Sequence, residues 1–338
     1  MTLCIAWIRQ ESKTNTKELV FATDSMLTGG GETWKHGVKL FELPRKDCLL
    51  CFAGETGKAY PLILNLQTAI QFNQKIMNQH TDLRQVLEYL CSTFTEIMNS
   101  LVYELGDLEA YNPYTAAKFI FGGWNWQTQL LEFWEIYYGM EEKKFLYNGY
   151  DSTTARAYHM IGDHLEEAEE LLMEELTNNG KKIQGSFDME PFMVLSRMAR
   201  DVEQYRPIDG ALQVAKVYQS GSTEFFGVMW QSVKGKHTFL GRELNPYVKP
   251  QIRFVDPDSG MILDLELPKN IAKLNMDEYG NESEFIESCF PDGNIKPGLS
   301  DKEKEMLLAI FKDNSYKSFL TSLADNEVPQ NAETNEQQ

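Results

Sequence analysis

A threonine that becomes the first residue of a chain can do chemistry that an internal threonine cannot. Removal of Met1 would leave Thr2 with both its hydroxyl and a free α-amine. The amine has an ordinary pKa near ~8, so it can serve as a base for its own hydroxyl at working pH. Removal of an initiator methionine requires a small second side chain, and Thr2 meets that requirement; loss of Met1 is therefore expected. The other reactive residue types point elsewhere. Cys48 and Cys51 form a CxxC with no second pair, inside the apolar run Cys48-Leu49-Leu50-Cys51-Phe52, and read as core. His159 and His164 stand five residues apart without a His-Glu-x-x-His pattern. Gly29-Gly30-Gly31 lacks the Gly-x-Gly-x-x-Gly spacing and any P-loop Lys-Ser/Thr. Neither a metal nor a nucleotide cofactor is expected. Cys4 lies on the strand face of Thr2 but would become terminal only after loss of three residues.

Composition narrows the class. The chain has 338 residues, 42% hydrophobic and 12% aromatic, enough for one large core and an extension. A formal net charge of −18 argues against a nucleic-acid surface. Five cysteines argue against a disulfide framework. The start has neither the basic region nor the apolar stretch of a signal peptide, and no run reaches the ~18 apolar residues of a membrane helix. A cytoplasmic, reduced protein is the expectation.

The residues around Thr2 read as strands. Residues 2–9 form the first and Glu18–Ser25 the second, joined by a polar loop at Gln10–Lys17. Gly29–Gly31 reads as a flexible loop, His36–Leu43 as a third strand, Pro44–Asp47 as a turn and 48–53 as a fourth strand. Gly54-Glu55-Thr56-Gly57 opens a helix over about 57–80, and a second runs over about 82–106 with a Leu83–Leu101 apolar stripe, before an exit at Pro113. Strands return at Ala117–Phe121, Leu130–Ile136 and Tyr158–Ile161, with Gly122-Gly123 as a turn region. Helical patterns cover 164–179 and 189–204, and strands Ala211–Val217 and Phe225–Gln231 follow. Blocks of strands and helices in this order predict an α+β, four-layer αββα sandwich of two antiparallel sheets, not a parallel β-α-β sheet. The expected domains are 2–231, an extension over 232–324 with a short helix at Asp301–Asp313, and a disordered tail over 325–338. The dense aromatics Trp124, Trp126, Phe133, Trp134, Tyr137 and Tyr138 read as core or interface.

With those residues placed, the chain resembles a proteasome β-subunit or its bacterial two-component protease relative, of the N-terminal nucleophile hydrolase superfamily. The resemblance covers about 2–231 and is specific mainly over 2–60. It rests on Thr2, on Ala22-Thr23-Asp24-Ser25, on Gly37-Val38-Lys39-Leu40 and on Phe52-Ala53-Gly54-Glu55. It implies that Thr2 is the nucleophile, that Lys39 stabilises its alkoxide, that Asp24 orients Lys39, and that the Gly54 N–H is the oxyanion donor. The second half departs from the pattern. Asp163 stands where the family has a Ser, Arg206 where it has an Asp, and Asp209 where it has another Ser. Asp163 or Asp209 could accept from the α-ammonium, and at close range would hold it protonated.

These features imply a threonine-dependent amide-bond hydrolase acting on peptides or proteins, working as a homo-oligomer, with an ATPase or second subunit as a further partner. The replaced supporting positions favour an alternative: a catalytically silent structural or binding subunit on the same fold. A non-peptide amidase is a third reading. On the hydrolase reading Lys39 is essential for turnover and nearly irrelevant to folding.

Overall fold

The structure is a computed structural model that describes residues 2–10, 16–29, 32–101, 117–154, 156–178, 186–231, 236–244, 252–260, 262–263, 267–268, 270–272, 274–300, 303, 306–307 and 310–311. Met1, the loop tip at 11–15, Gly30, Gly31, Pro113, much of the helix expected at Asp301–Asp313 and the tail at 325–338 lie outside the described residues. Contacts divide the chain into two compact units, Met1–Leu244 with Ile252–Ile262, and Asn245–Gln251 with Leu263–Gln338.

The first unit begins with β1 (Leu3–Gln10) and β2 (Lys17–Thr23), a short hairpin of β3 (Leu27–Gly29) and β4 (Glu32–Trp34), then β5 (Leu40–Glu42) and β6 (Cys48–Ala53). Helices α1 (Thr56–Gln71), α2 (Gln74–Met77) and α3 (Leu83–Asn99) follow. Next come β7 (Lys118–Asn125), β8 (Leu130–Gly139), β9 (Lys144–Tyr150) and β10 (Tyr158–Gly162). Helices α4 (Leu165–Asn178) and α5 (Glu190–Arg200) precede β11 (Gln213–Tyr218) and β12 (Thr223–Trp230). The strands β13 (Lys236–Phe239), β14 (Arg242–Glu243) and β15 (Phe254–Val255) close the unit.

One sheet runs β10-β1-β2-β11-β12-β13-β14, with β15 added parallel on β12. The other is the antiparallel meander β5-β6-β7-β8-β9. Side-chain alternation sorts each strand between two cores. On β1, Leu3, Ile5 and Trp7 join Leu172, Phe192 and Leu195 of α4 and α5. Cys4, Ala6 and Ile8 face the other way, to Leu49, Ile120 and Phe133 of the second sheet. On that sheet Leu50, Phe52 and Phe119 pack under Leu62, Leu66 and Leu87 of α1 and α3. Three stacked cores therefore separate four layers, helix–sheet–sheet–helix, as expected.

Several boundaries differ from the sequence reading, each for a local reason. The single helix expected at 57–80 is two, because the Asn73 side chain accepts from Ile76 N and caps a new start. Asp82 likewise caps α3 through Arg84 N. Gly122 and Gly123 are inside β7, not in a turn. A Cβ on Gly122 would stand 2.6 Å from the Phe133 Cβ and 2.9 Å from Leu19, so the glycine admits the close approach of the two sheets. Strand β9 was not anticipated, and β13–β15 carry the first unit past the boundary placed at 231. Only Leu40–Glu42 of the expected third strand is strand, so Lys39 precedes β5. The second unit has a core of its own, formed by Ile271, Ile286, Cys289, Phe290, Leu299, Leu307, Ile310 and Phe311 around α6 (Ser283–Cys289).

Candidate functional site

Thr2 stands at the head of β1, on the face that carries Cys4 and Ala6 towards the second sheet. Asp24 is the first residue past β2, the neighbour of β1, with Cys4 opposite Thr23. The two therefore meet by register. The Thr2 hydroxyl donates to Asp24 Oδ1 at 2.9 Å, and Leu3 N donates to the same oxygen at 3.2 Å. Met26 N donates to Asp24 Oδ2 at 3.0 Å, and Lys39 Nζ lies 2.9 Å from each oxygen. Both oxygens of this carboxylate are thus engaged, and the whole cluster is inside the protein: Thr2 is 2% exposed, Asp24 0% and Lys39 1%. Lys39 gives its hydrogens to Asp24 and not to the threonine hydroxyl.

Asp163 closes the other side. Its Oδ2 accepts from Thr2 N at 2.8 Å, and its own N–H donates to Thr2 O at 2.8 Å. Gly162 makes this possible. Its φ is 122°, and a Cβ there would fall 1.9 Å from Thr2 O. Asp209 is not part of the amine's surroundings. Its carboxylate pairs with Lys35 at 2.8 Å, and its carbonyl accepts from Ser25 N at 3.3 Å. Arg206 is exposed. Gly54 follows β6 with φ 110° and is exposed, and makes no hydrogen bond to Thr2, Asp24 or Lys39. The structure thus brings Thr2, Asp24, Lys39 and Asp163 together and leaves Asp209 apart.

The remaining candidates resolve simply. Cys48 points into the core under α1 and α3, while Cys51 points between the sheets, so one ion cannot bind both. Burial pushes both thiols well above their ordinary range. Among the described residues no group of three or more His, Cys, Asp or Glu is placed to hold a metal ion. His164 pairs with Glu167 at 3.0 Å, away from His159.

Two polar features escaped the sequence reading. Gln213, at the start of β11, is fully buried, and its carboxamide binds backbone on both sides of the Asp24–Lys39 pair. The only signal for it is a polar residue in an otherwise apolar strand start. Glu135 lies on the inner face of β8 and gathers Lys118 at 2.9 Å, His159 at 3.3 Å and Tyr150 at 3.4 Å between the sheets. The hydrogen bond from His159, together with Lys118, overcomes burial and holds the Glu135 carboxyl down at about 2. A folded pKa below the unfolded value of ~4.3 stabilises the fold above that value, and the contribution is lost as pH falls towards the folded one. Glu135→Gln should therefore flatten the stability profile between pH ~4 and ~2. Parallel wild-type and variant profiles across that window, by chemical denaturation, would refute the assignment.

No family model and no curated protein matches the chain. Solved structures do. The chain is similar to a structure described as the helical assembly of the Anbu complex from Pseudomonas aeruginosa, at 16% identity and TM-score 0.49, over 67% of this chain and 86% of that one. It is also similar to Anbu, described as an ancestral beta-subunit, from Yersinia bercovieri, at 18% identity and TM-score 0.46, over 66% and 85%. The fold is an α+β sandwich of antiparallel sheets flanked by helices. The threonine-dependent hydrolase expected from the sequence, and with it the peptidase and threonine-protease reading, is corrected. The physical reason lies in the cluster itself: the Thr2 hydroxyl is buried and bonded to a saturated carboxylate. Among the described residues no helix is long and apolar enough to cross a membrane.

Proposed function

We propose that this chain is a catalytically silent structural subunit that keeps a proteasome-like fold and assembles with copies of itself. The observation that carries the reading is the closed state of Thr2. A nucleophile must meet its substrate, yet with Met1 still attached Thr2 is 2% exposed. Its hydroxyl is bonded to Asp24, and Asp163 lies 2.8 Å from its nitrogen. Were Met1 removed, a carboxylate at that distance would favour the ammonium form and leave a weak base. Thr2, Asp24 and Lys39 then act as a buried knot that ties the head of β1 to the end of β2 and to the segment before β5. The helical assembly described for the Pseudomonas protein supports association of copies. The five free, buried cysteines support work in a reducing compartment.

The test is incubation of the purified chain with an electrophilic threonine-directed probe and with unstructured peptide substrates, read by intact mass. The expected outcome is no adduct on Thr2 and hydrolysis at background, with self-association in sedimentation unchanged by Thr2→Val. A stoichiometric adduct on Thr2 would overturn the reading, as would a monomer at micromolar concentration.

A further inference from the structure

Gly37, Val38 and Lys39 should continue β5, but they lie outside the strand; Lys39 O keeps a bond from Phe52 N of β6, and most of the other backbone groups that a ladder would satisfy go elsewhere. Gly37 N donates to Ser25 O at 2.8 Å. Val38 O accepts from the Tyr60 hydroxyl at 3.0 Å and Lys39 O from Phe52 N at 3.3 Å, while Gly37 O, Lys39 N and Leu40 N meet one side chain. Gln213 Oε1 accepts from Lys39 N at 3.1 Å and from Leu40 N at 3.3 Å. Gln213 Nε2 donates to Gly37 O at 2.6 Å and, at 3.5 Å, to Asp24 O. A carboxamide offers two donors and two acceptor lone pairs, so this group is used to capacity. It sits at 0% exposure, where an unmet polar group is costly. Its own backbone is fixed by β11, with Gln213 opposite Thr23 on β2. One residue of a central strand thus bolts together the two backbone segments that carry Asp24 and Lys39.

We propose that Gln213 is the positioning residue of the Asp24–Lys39 pair, its carboxamide standing in for the N–H side of the strand ladder that the segment 37–39 lacks. The inference rests on reading Thr2, Asp24 and Lys39 as a structural knot. It adds that the knot is set from β11, by a residue that touches neither the Lys39 ammonium nor the Asp24 carboxylate. Hydrogen bonds to a buried amide act here as alignment, because the Lys39 side chain can reach both Asp24 oxygens only while its own backbone is held against the β2 end.

The test is amine footprinting with a small acylating reagent, quantified per lysine by mass spectrometry, on wild type and Gln213→Leu. Lys39 is compared with Lys216, also fully buried and on the same strand β11 but in a separate ion cluster with Glu18. Loss of the clamp should raise modification of Lys39 by about tenfold, the effect of losing one or two net hydrogen bonds from a local opening equilibrium, with Lys216 unchanged. Unchanged Lys39 overturns the proposal, and so does a parallel rise of Lys39 and Lys216, which marks general destabilisation. Should Gln213→Leu fail to fold, hydrogen exchange on wild type decides. The Lys39 and Leu40 amides should be protected as well as those of Val214 and Ala215, and exchange at the rate of an open loop overturns the proposal. A Thr2 adduct in the probe experiment would instead remove the reading of the knot while leaving these results standing.

Discussion

Replacing Lys39 by methionine should lower the stability of the chain by about 3–5 kcal/mol, the usual cost of leaving one partner of a buried ion pair uncompensated. The hydrolase reading of the sequence expected Lys39 to be nearly irrelevant to folding. Its ammonium is instead 1% exposed and 2.9 Å from both oxygens of a carboxylate that is itself 0% exposed. Without it Asp24 keeps only the Thr2 hydroxyl and two backbone N–H donors. Lys39→Arg should also destabilise, since a planar guanidinium does not fit where a compact ammonium was enclosed. The pair can be separated from the loss of volume by a cycle. Asp24→Asn with Lys39→Met removes both charges, and should recover a large part of the loss, because the desolvation of two ions is relieved at once. The measurement is urea denaturation of the four proteins at fixed concentration. A single-variant loss below about 1 kcal/mol would mean that the pair is hydrated and that the knot is not what fixes the strand ends.

The layer order was legible because it depends on alternation. On β1 and β2 every second residue is apolar in one direction and apolar in the other, as a strand covered on both faces must be. The same alternation put Thr2 on the face that looks towards the second sheet, and antiparallel register then brought Asp24 to it. What failed was decided by partners remote in sequence. The third strand shrank because a glutamine 174 residues away took its backbone N–H. Gly122 looks like part of a turn in one dimension and like a close approach of two sheets in three. Asp209 looked equivalent to Asp163, yet Lys35 claims its carboxylate. Above all, residue types and spacing named the cluster without telling whether solvent reaches it, and that decides between a nucleophile and a knot.

The Thr2 cluster is one of several places among the described residues where this acidic chain buries charge, and two others show how the fold uses it. Across the far end of the first sheet Arg9 pairs with Glu18 at 2.8 Å, and Lys216 reaches the same Glu18 carboxylate at 2.7 Å. Burial draws the Lys216 ammonium down, against the pull of Glu18. These ions bridge β1, β2 and β11, strands that neighbour one another in the sheet, and so oppose slippage of their register. The Asp24–Lys39 pair does the same work at the opposite end of β2.

A further buried ion, Arg45, gives the second large effect. It sits in the turn between β5 and β6 with its side chain fully enclosed, and so does Asp47. Nε and Nη2 hold Asp47 in a bidentate fork at 3.0 and 2.9 Å. The remaining hydrogens reach the chain that leaves α2: Ile76 O at 2.8 Å, and Gln79 O and Thr81 O at 3.2 Å each. One guanidinium therefore satisfies a buried carboxylate and three carbonyls that no helix or strand would otherwise pair. Arg45→Met should cost about 3–5 kcal/mol, because Asp47 is left charged and unpaired in the interior. Arg45→Lys should recover little, since an ammonium has three donors and no fork geometry. The loss should appear locally before it appears globally. The 76–81 connection is held to the β5–β6 turn chiefly by this residue, so trypsin should cut the variant faster at Lys75 than at sites inside α3. Denaturant unfolding and limited proteolysis together settle the matter. A variant within about 1 kcal/mol of wild type, with its Lys75 cleavage unchanged, would show that the α2 exit is held by its own packing and not by Arg45.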